Sequence, residues 1–270
     1  MALEITLHTP PVVPLEAGVI SPDRLAGLNA SQIASLPVLH GNEPAAVGDF
    51  FRVRGSGADE IRLEGDLSRC KWIGHRMSVG RLVVTGPVGR HAGAEMRGGE
   101  LEVLGAADDW AGAEMTGGRL IIHGQAGHNL GSAYRGSRAG MQGGEILLYG
   151  DAGDEAGQGM RRGLIAIGGR SGDFTGAYML AGTIIVLGEM GWRAGAGMRR
   201  GSIISLCPVR LLPSFGFACI YRPTFLRLYL RYLNALGLAI STAQVEGRYQ
   251  RWSGDCLDLG RGEILFWNGE

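Results

Sequence analysis

The sequence predicts an all-β protein whose centre is a right-handed parallel β-helix of about 19 residues per coil, with small helical caps at both ends. The first observation behind this prediction is a glycine that recurs at nearly constant spacing. Its positions are 19, 19, 26, 19 and 19 residues apart, at Gly86, Gly105, Gly124, Gly150, Gly169 and Gly188. The longer step is one unit that carries a seven-residue insertion around Arg135 to Met141. A fixed period of this length is typical of a solenoid, in which each repeat forms one coil.

The second observation is that further columns keep the same register. One is glycine except in the second unit, at Gly89, Asp108, Gly127, Gly153, Gly172 and Gly191. Two are always glycine, at Gly93, Gly112, Gly131, Gly157, Gly176 and Gly195 and at Gly99, Gly118, Gly144, Gly163, Gly182 and Gly201. One is methionine, at Met96, Met115, Met141, Met160, Met179 and Met198. We expect the glycines to supply positive φ angles at the corners and the methionines to fill the core.

The third observation is a short apolar run before each anchoring glycine, such as Leu82–Val84 or Leu120–Ile122. Runs of this length, rich in branched aliphatic residues and bounded by glycine, indicate strands rather than helices. Side chains alternate along a strand, so the first and third residues of each run are predicted to form buried aliphatic ladders. The middle residues are predicted to face outward, at Val83, Glu102, Ile121, Leu147, Ala166, Ile185 and Ile204.

The two ends of the chain lack the repeat, and this predicts three regions. Residues 1–55 are expected to form an N-terminal cap with short helices, one starting at Ser21 as N-cap with Pro22 in the first turn. Residues 56–207 are expected to form the glycine-rich β-helix. Residues 208–270 are expected to form an extension with one helix, between Pro223 and Gly237, and one final strand. Such caps protect the open strand edges of a solenoid.

Composition and charge exclude several classes of protein. Glycine accounts for 47 of the 270 residues but lacks the every-third-residue order of collagen. The formal net charge is zero, so no global field favours nucleic acid or a membrane surface as a partner. The sequence shows no signal peptide or membrane-spanning run and its four cysteines lack metal-site spacing, so we expect a cytoplasmic protein. Lys71 is the single lysine among 26 basic residues, a bias that we attribute to a GC-rich bacterial coding sequence.

The chain resembles the C subunit of formylmethanofuran dehydrogenase. The resemblance is carried by the glycine repeat together with the segments Ser21–Leu28 (SPDRLAGL) and Val47–Gly55 (VGDFFRVRG). A closely similar subunit occurs in the formyltransferase/hydrolase complex of aerobic methylotrophs. The repeat is also similar to the C-terminal domain of the glutamate synthase large subunit, but the N-terminal helices and the absence of an amidotransferase or flavin domain argue against that protein. The arginine bias favours the bacterial complex over the archaeal tungsten- or molybdenum-dependent one.

The resemblance implies a role in one-carbon metabolism. The complex would interconvert formyl-tetrahydromethanopterin, a formyl-methanofuran-type carrier and formate. Its other subunits would be hydrolase-like, dehydrogenase-B-like and formyltransferase subunits, with zinc in the hydrolase subunit. Neither the metal nor either carrier is expected in an active site of this chain.

No pattern in the sequence predicts catalysis or metal binding. The histidines show neither HxH nor HExxH spacing, and the glycine-rich segments lack the lysine and helix of a phosphate-binding loop. No spacing supports a nucleophile paired with a base. We therefore expect a non-catalytic structural subunit. The alternatives are a subunit of a tungsten or molybdenum dehydrogenase, or a free-standing β-helix that binds an extended anion.

Two surfaces are candidates for a partner interface. One is the outward apolar stripe of Val83, Ile121, Leu147, Ile185 and Ile204, which would otherwise be covered by the chain's own C-terminal helix. The other is a row of arginines that follows the methionine column, namely Arg97, Arg161, Arg162, Arg199 and Arg200, with Arg135 and Arg138 in the insertion. This row is either an ordinary solvated face or a docking strip for an acidic partner or, as the resemblance implies, an anionic polyglutamate carrier.

Overall fold

A computed structural model describes residues 3–57 and 59–269. The helices in these residues are α1 (Pro22–Leu25), α2 (Ala30–Ala34), α3 (Val47–Phe50), α4 (Thr224–Ala235) and α5 (Thr242–Glu246). The N-terminal strands are β1 (Leu3–Leu7), β2 (Leu15–Glu16), β3 (Pro37–His40), β4 (Glu43–Ala46), β5 (Phe51–Arg54), β6 (Glu60–Glu64) and β7 (Cys70–Lys71). The strands of the repeat are β8 (Arg81–Val84), β9 (Arg97–Val103), β10 (Gly117–Ile122), β11 (Glu145–Leu148), β12 (Leu164–Ile167), β13 (Thr183–Val186) and β14 (Ser202–Ser205). The C-terminal strands are β15 (Gly216–Tyr221), β16 (Tyr249–Gly254) and β17 (Gly262–Trp267).

Most of these strands belong to one large sheet, and the predicted all-β class is confirmed. The sheet has thirteen strands within the described residues, in the order β15-β16-β17-β14-β13-β12-β11-β10-β9-β8-β6-β1-β5. From β6 through β8 to β14, each strand of this sheet pairs in parallel with the strand of the next repeat unit. A second set of parallel bridges joins the same units at another position, linking Leu67, Val88, Ala107, Ala126, Ala152, Ser171 and Met190. Successive units therefore stack in sequence order and in register.

The core is built from the predicted columns. In the sheet, Leu82 lies opposite Leu101, which lies opposite Leu120, and the ladder continues unit by unit. Its buried members run from one terminal segment to the other and are Leu3, Ile61, Leu82, Leu101, Leu120, Ile146, Ile165, Ile184, Ile203 and Ile264. All six column methionines are also fully buried. The predicted aliphatic ladder and the methionine core are confirmed.

Glycine is required at the repeated columns for two different reasons. The two invariant columns predicted to need positive φ do have it, as at Gly131 (φ +65°). The anchoring column and the column that begins at Gly89 do not, and for these two columns the prediction of positive φ is wrong. A Cβ on Gly105 would lie 2.6 Å from the carbonyl carbon of Gly86 in the preceding unit. Glycine is required at this column because successive backbones approach too closely for any side chain.

The N-terminal cap contains the predicted helices and more strand than expected. Helix α1 begins after Ser21 with Pro22 in its first turn, and α2 begins after Asn29, whose Oδ1 accepts from Gln32 N–H. Strand β1 inserts between β6 and the antiparallel edge strand β5, so the first described residues extend the large sheet. Strands β4, β3, β2 and β7 form a separate four-stranded sheet. The N-terminal cap thus closes the repeat by continuing its hydrogen bonding.

The C-terminal extension is more elaborate than one helix and one strand. It contains the predicted helix as α4, a second short helix, α5, and three strands. Strand β17 pairs in parallel with β14 and extends the ladder, while β16 and β15 add to it antiparallel. No helix in residues 3–57 or 59–269 is long and apolar enough to cross a membrane.

The outward apolar stripe is not a free surface. Leu147, Ile185 and Ile204 are at most 1% exposed. They belong to a second buried cluster with Leu226, Leu230 and Leu233 of α4. The prediction that they contact a partner is therefore wrong, because the chain's own helix covers them.

The other two stripe residues are also covered at least in part, and Ile121 packs against the same cluster. Val83 is 7% exposed and Ile121 is half-buried. Charged side chains surround this part of the sheet, where Arg81 forms ion pairs with Glu100 and Glu102. Four of the five predicted stripe residues are therefore buried by the chain itself, while Ile121 remains partly exposed.

Candidate functional site

A cavity lies beside the seven-residue insertion. It is a cleft of about 870 Å³, lined by Tyr134–Arg138 on one side and by residues of several successive units on the other. Four arginines line it, namely Arg135, Arg138, Arg161 and Arg199, together with the carboxylates Glu155 and Asp258. The cleft therefore has an excess of positive charge.

The insertion leaves the repeat without disturbing it. Before and after it, Leu120 and Ile146 still lie opposite each other in the sheet. At its end, the Gly140 N–H donates to Gly159 O at 2.9 Å and the Met141 N–H donates to Gly131 O at 2.9 Å. These bonds return the chain to the stacked units, so the insertion is a loop that lies outside the repeat.

The repeat itself places two of the arginines. Arg161 and Arg199 directly follow the buried Met160 and Met198, and a residue after an inward-facing one points outward. Because their units are two steps apart in the stack, the two positions are separated by about 10 Å along it. Sequence periodicity alone was sufficient to predict this row.

The predicted arginine row is only partly brought together. Arg97, Arg162 and Arg200 are exposed but do not line the cleft. Arg97 lies three units from Arg161, because Thr116 and Gln142 follow the methionines of the units between them. Of the seven predicted arginines, those in the cleft are Arg135, Arg138, Arg161 and Arg199.

The cleft arginines differ in their ionic partners. The Arg199 Nε lies 2.7 Å from Asp258 Oδ2, within an ion pair. Within the described part of the chain, Arg135, Arg138 and Arg161 form no ion pair with a carboxylate. Glu155 accepts a hydrogen bond from Asn129 Nδ2 at 2.9 Å. Unpaired guanidinium groups facing one cleft favour carboxylate or phosphate ligands.

A half-buried aromatic stack borders the cleft and was not foreseen from the sequence. The Trp110 and Tyr134 rings stack with centroids 5.1 Å apart, and His91 lies against Trp72 at 4.2 Å. His91 Nδ1 is 3.1 Å from the Tyr134 hydroxyl, and burial lowers the pKa of His91 to about 4. The signal was present, since Trp72, His91 and Trp110 occupy one column of the repeat, all with positive φ. The stack fixes Tyr134, and thereby the start of the insertion.

The side chains that could ligate a metal are scattered over the structure. In residues 3–57 and 59–269, no three His, Cys, Asp or Glu side chains are placed to bind a metal ion together.

A second exposed surface lies on the outer side of α4. Phe225, Leu228 and Tyr232 are 38%, 73% and 38% exposed and follow one another at helical spacing. The opposite side of α4 packs on the sheet through Leu226, Leu230 and Leu233. The exposed side of α4 thus carries a small apolar group next to the ion pairs that Arg227 and Arg231 form with Glu246, and such a group is a candidate contact for another subunit.

Comparisons with known proteins identify two kinds of relative. Residues 100–208 match the GXGXG motif family. The whole chain is similar to a chain of the formyltransferase/hydrolase complex (FhcABCD) from Methylorubrum extorquens, whose crystal structure was determined in complex with methylofuran. That likeness has a TM-score of 0.91 at 35% sequence identity and covers 97% of this chain and 98% of the other.

The other relatives are C subunits of formylmethanofuran dehydrogenases. The chain is 41% identical over 95 residues to the C subunit of the tungsten-containing formylmethanofuran dehydrogenase 2 of Methanothermobacter wolfeii. It is 39% identical over 84 residues to the C subunit of the molybdenum-containing formylmethanofuran dehydrogenase 1 of Methanosarcina barkeri. These matches span 35% and 28% of the relatives' own lengths.

Proposed function

This chain belongs to the family of formylmethanofuran dehydrogenase C subunits, and from this we propose that it is a non-catalytic structural subunit of a hetero-oligomeric formyltransferase/hydrolase complex. The observation that carries the proposal is the likeness to a chain of such a complex over 97% of the sequence. A shared repeat would account only for the stacked units. The likeness also includes the terminal segments, which the repeat does not specify.

The fold supports a scaffold role. We infer that the stacked units form a right-handed parallel β-helix, and the parallel pairing of successive units at two positions supports this. In such a fold each unit contacts only its neighbours, so the structure is long and presents several faces.

The reaction is proposed by analogy with the family. The complex would interconvert formyl-tetrahydromethanopterin, a formyl-methanofuran-type carrier and formate. The hydrolase-like subunit would hold zinc, and dehydrogenase-B-like and formyltransferase subunits would complete the assembly. The hydrolytic complex is favoured over a tungsten or molybdenum dehydrogenase because the structural likeness over 97% of this chain is to a chain of a formyltransferase/hydrolase complex.

The cleft chemistry supports a non-catalytic role for this chain. Its two carboxylates already have structural partners, Asp258 in the ion pair with Arg199 and Glu155 in the hydrogen bond from Asn129. The neutral imidazole of His91 is enclosed by aromatic rings. A group that acts as a base must reach a substrate proton, and these groups are engaged elsewhere.

Co-purification tests the proposed function. A tagged copy expressed in its native host is expected to bring down hydrolase-like and formyltransferase subunits in fixed stoichiometry, identified by mass spectrometry. The isolated chain is expected to show neither formyl transfer nor formyl-amide hydrolysis. A monodisperse chain without partners, or activity in the isolated chain that a point mutation abolishes, would contradict the proposal.

The outer side of α4 is the proposed docking surface for a partner subunit. Leu228→Lys is expected to release the chain from the complex without unfolding it, because Leu228 is 73% exposed here and a lysine in a dry interface is left unpaired. The loss is measured as the fraction of partner subunits retained on a tagged chain. Val12→Lys is the matched control, since Val12 is 74% exposed on a segment remote from α4 in sequence. If both variants retain the same fraction of partner subunits, the docking surface does not include the outer side of α4.

A second candidate function is the binding of an extended anion in the arginine cleft, such as a polyglutamate carrier. It is supported by the unpaired arginines that line one cleft. Arg138→Ala combined with Arg161→Ala is expected to weaken binding of a glutamate oligomer by about tenfold, and added salt to weaken it further. Binding is measured by calorimetry. Arg97→Ala is the control, because Arg97 occupies the same column of the repeat as Arg161 but lies outside the cleft. An equal loss of affinity with that variant would show that the effect comes from general surface charge.

A further inference from the structure

The large sheet has an uncharged edge at β15, whose pairing with β16 shifts register between Phe217 and Cys219. This strand is the last of the thirteen and hydrogen-bonds only to β16, so one side of its backbone has no strand partner within the described residues. Its sequence, GFACIY, contains no charge and no proline, and its first five residues are all exposed. The edge is also apolar on its surface, with Phe217 53% exposed and Ile220 37% exposed.

The opposite edge of the same sheet is protected. Strand β5 carries Arg52 and Arg54, and its phenylalanine and valine are buried or half-buried. Charged residues on an edge strand discourage pairing with another chain, whereas an apolar and uncharged edge favours it. The two ends of the sheet thus differ in the way expected if only the β15 end receives a strand.

Charge near β15 indicates what kind of strand would fit. Arg222 directly follows β15, and Arg248 directly precedes β16; because Tyr221 pairs with Tyr249, both arginines lie at the same end of the two-stranded arm. Both are exposed, and neither forms an ion pair with a carboxylate in the described residues. Two cations at the same end of the arm, neither of them in an ion pair within the described residues, are complementary to a carboxylate supplied by another chain.

We propose that β15 receives a β-strand from another subunit, and that this strand is apolar along its length and carries an acidic residue at the end that meets Arg222 and Arg248. Backbone hydrogen bonds to β15 would supply affinity, and the arginine pair would set the register and direction. A second copy of this chain fits less well, because β15 itself has no acidic residue to offer. The inference rests on the proposed function only in assuming that the chain is a subunit.

Cys219 provides a direct reporter of strand addition. It is an exposed free thiol in the middle of β15, and Cys256, also exposed and free, lies outside the strand. In the purified complex we expect maleimide to modify Cys219 at least about tenfold more slowly than Cys256, each rate being normalised to that in denaturant and read from its peptide by mass spectrometry.

Charge reversal tests the arginine pair. Arg222→Glu combined with Arg248→Glu is expected to restore Cys219 modification in the complex or to reduce co-purification, whereas Arg52→Glu with Arg54→Glu at the opposite edge leaves both unchanged. If the wild-type complex forms and Cys219 reacts at its unprotected rate, the inference is wrong while the proposed function stands. Protection of Cys219 in a homodimer of the purified chain would also overturn it. Failure of any complex to form would count against the proposed function instead.

Discussion

Ile122→Asp is expected to unfold the protein. Ile122 is fully buried at the end of β10, where it lies between Val103 and Leu148 of the neighbouring units. A carboxylate there has no cation or donor to pair with and must either stay charged in an apolar ladder or bind a proton. We expect a loss of more than about 4 kcal/mol of the free energy of unfolding, which is a large share of the about 5–15 kcal/mol that stabilises an ordinary domain. Expression level, circular dichroism and urea unfolding measure it.

The adjacent residue is the matched control. Ile121 points to the other face of the same strand and is half-buried beside charged side chains. Ile121→Asp introduces the same group one residue away and is expected to cost less than half as much, because water can reach it. Similar destabilisation by both variants would show that the assignment of inner and outer positions along β10 is incorrect.

Gly131→Val is the second change with a large expected effect. Gly131 has φ +65°, and a Cβ there would lie 2.7 Å from Ile165 Cδ1 and 3.1 Å from Ile146 Cδ1. Backbone strain and overpacking each contribute about 1–3 kcal/mol, so we expect the free energy of unfolding to fall by about 2–6 kcal/mol. The measurement is equilibrium unfolding in urea.

Gly136→Val separates the two causes. Gly136 lies in the insertion with φ +89°, and a Cβ there would meet no atom within 4 Å. The variant carries the backbone strain without the clash and is expected to lose only about 1–3 kcal/mol. If the two valine variants lose the same free energy of unfolding, the clash with the isoleucine ladder contributes nothing at Gly131.

The sequence was sufficient to predict the parts of the fold that repeat. Leu120 and Met115 each belong to a column of like residues that recurs once per repeat unit. This pattern predicts that both side chains face the core, and both are buried. The reason predicted for Gly105 was wrong, because a repeated glycine shows that glycine is needed without distinguishing positive φ from close approach of two backbones.

What the sequence could not predict depends on contacts between distant segments. The burial of Ile185 was decided by where α4 packs, and helical periodicity does not specify a docking position. Likewise, β1 enters the sheet beside β6 although the segment carries no repeat signature.

The candidate site divides in the same way. Arg161 and Arg199 could be placed on one edge because they share a column of the repeat. Their meeting with Arg138 in a cleft depends on the path of the insertion, which is set by the stacking of Tyr134 on Trp110. A loop conformation fixed by a few side-chain contacts leaves no periodic trace in the sequence.

The undisturbed pairing on both sides of the insertion has a consequence for how this protein can change. Strand pairing holds Leu120 and Ile146 in the stack, whereas the segment between Tyr134 and Ala139 lies outside that pairing. Lengthening a surface loop has a small entropic cost, about 0.6 kcal/mol for each doubling of its length. Evolution or protein engineering can therefore exchange this segment for others, altering what the cleft recognises while the supporting architecture stays the same. Grafting a foreign epitope at Ser137 would make the protein a rigid display platform.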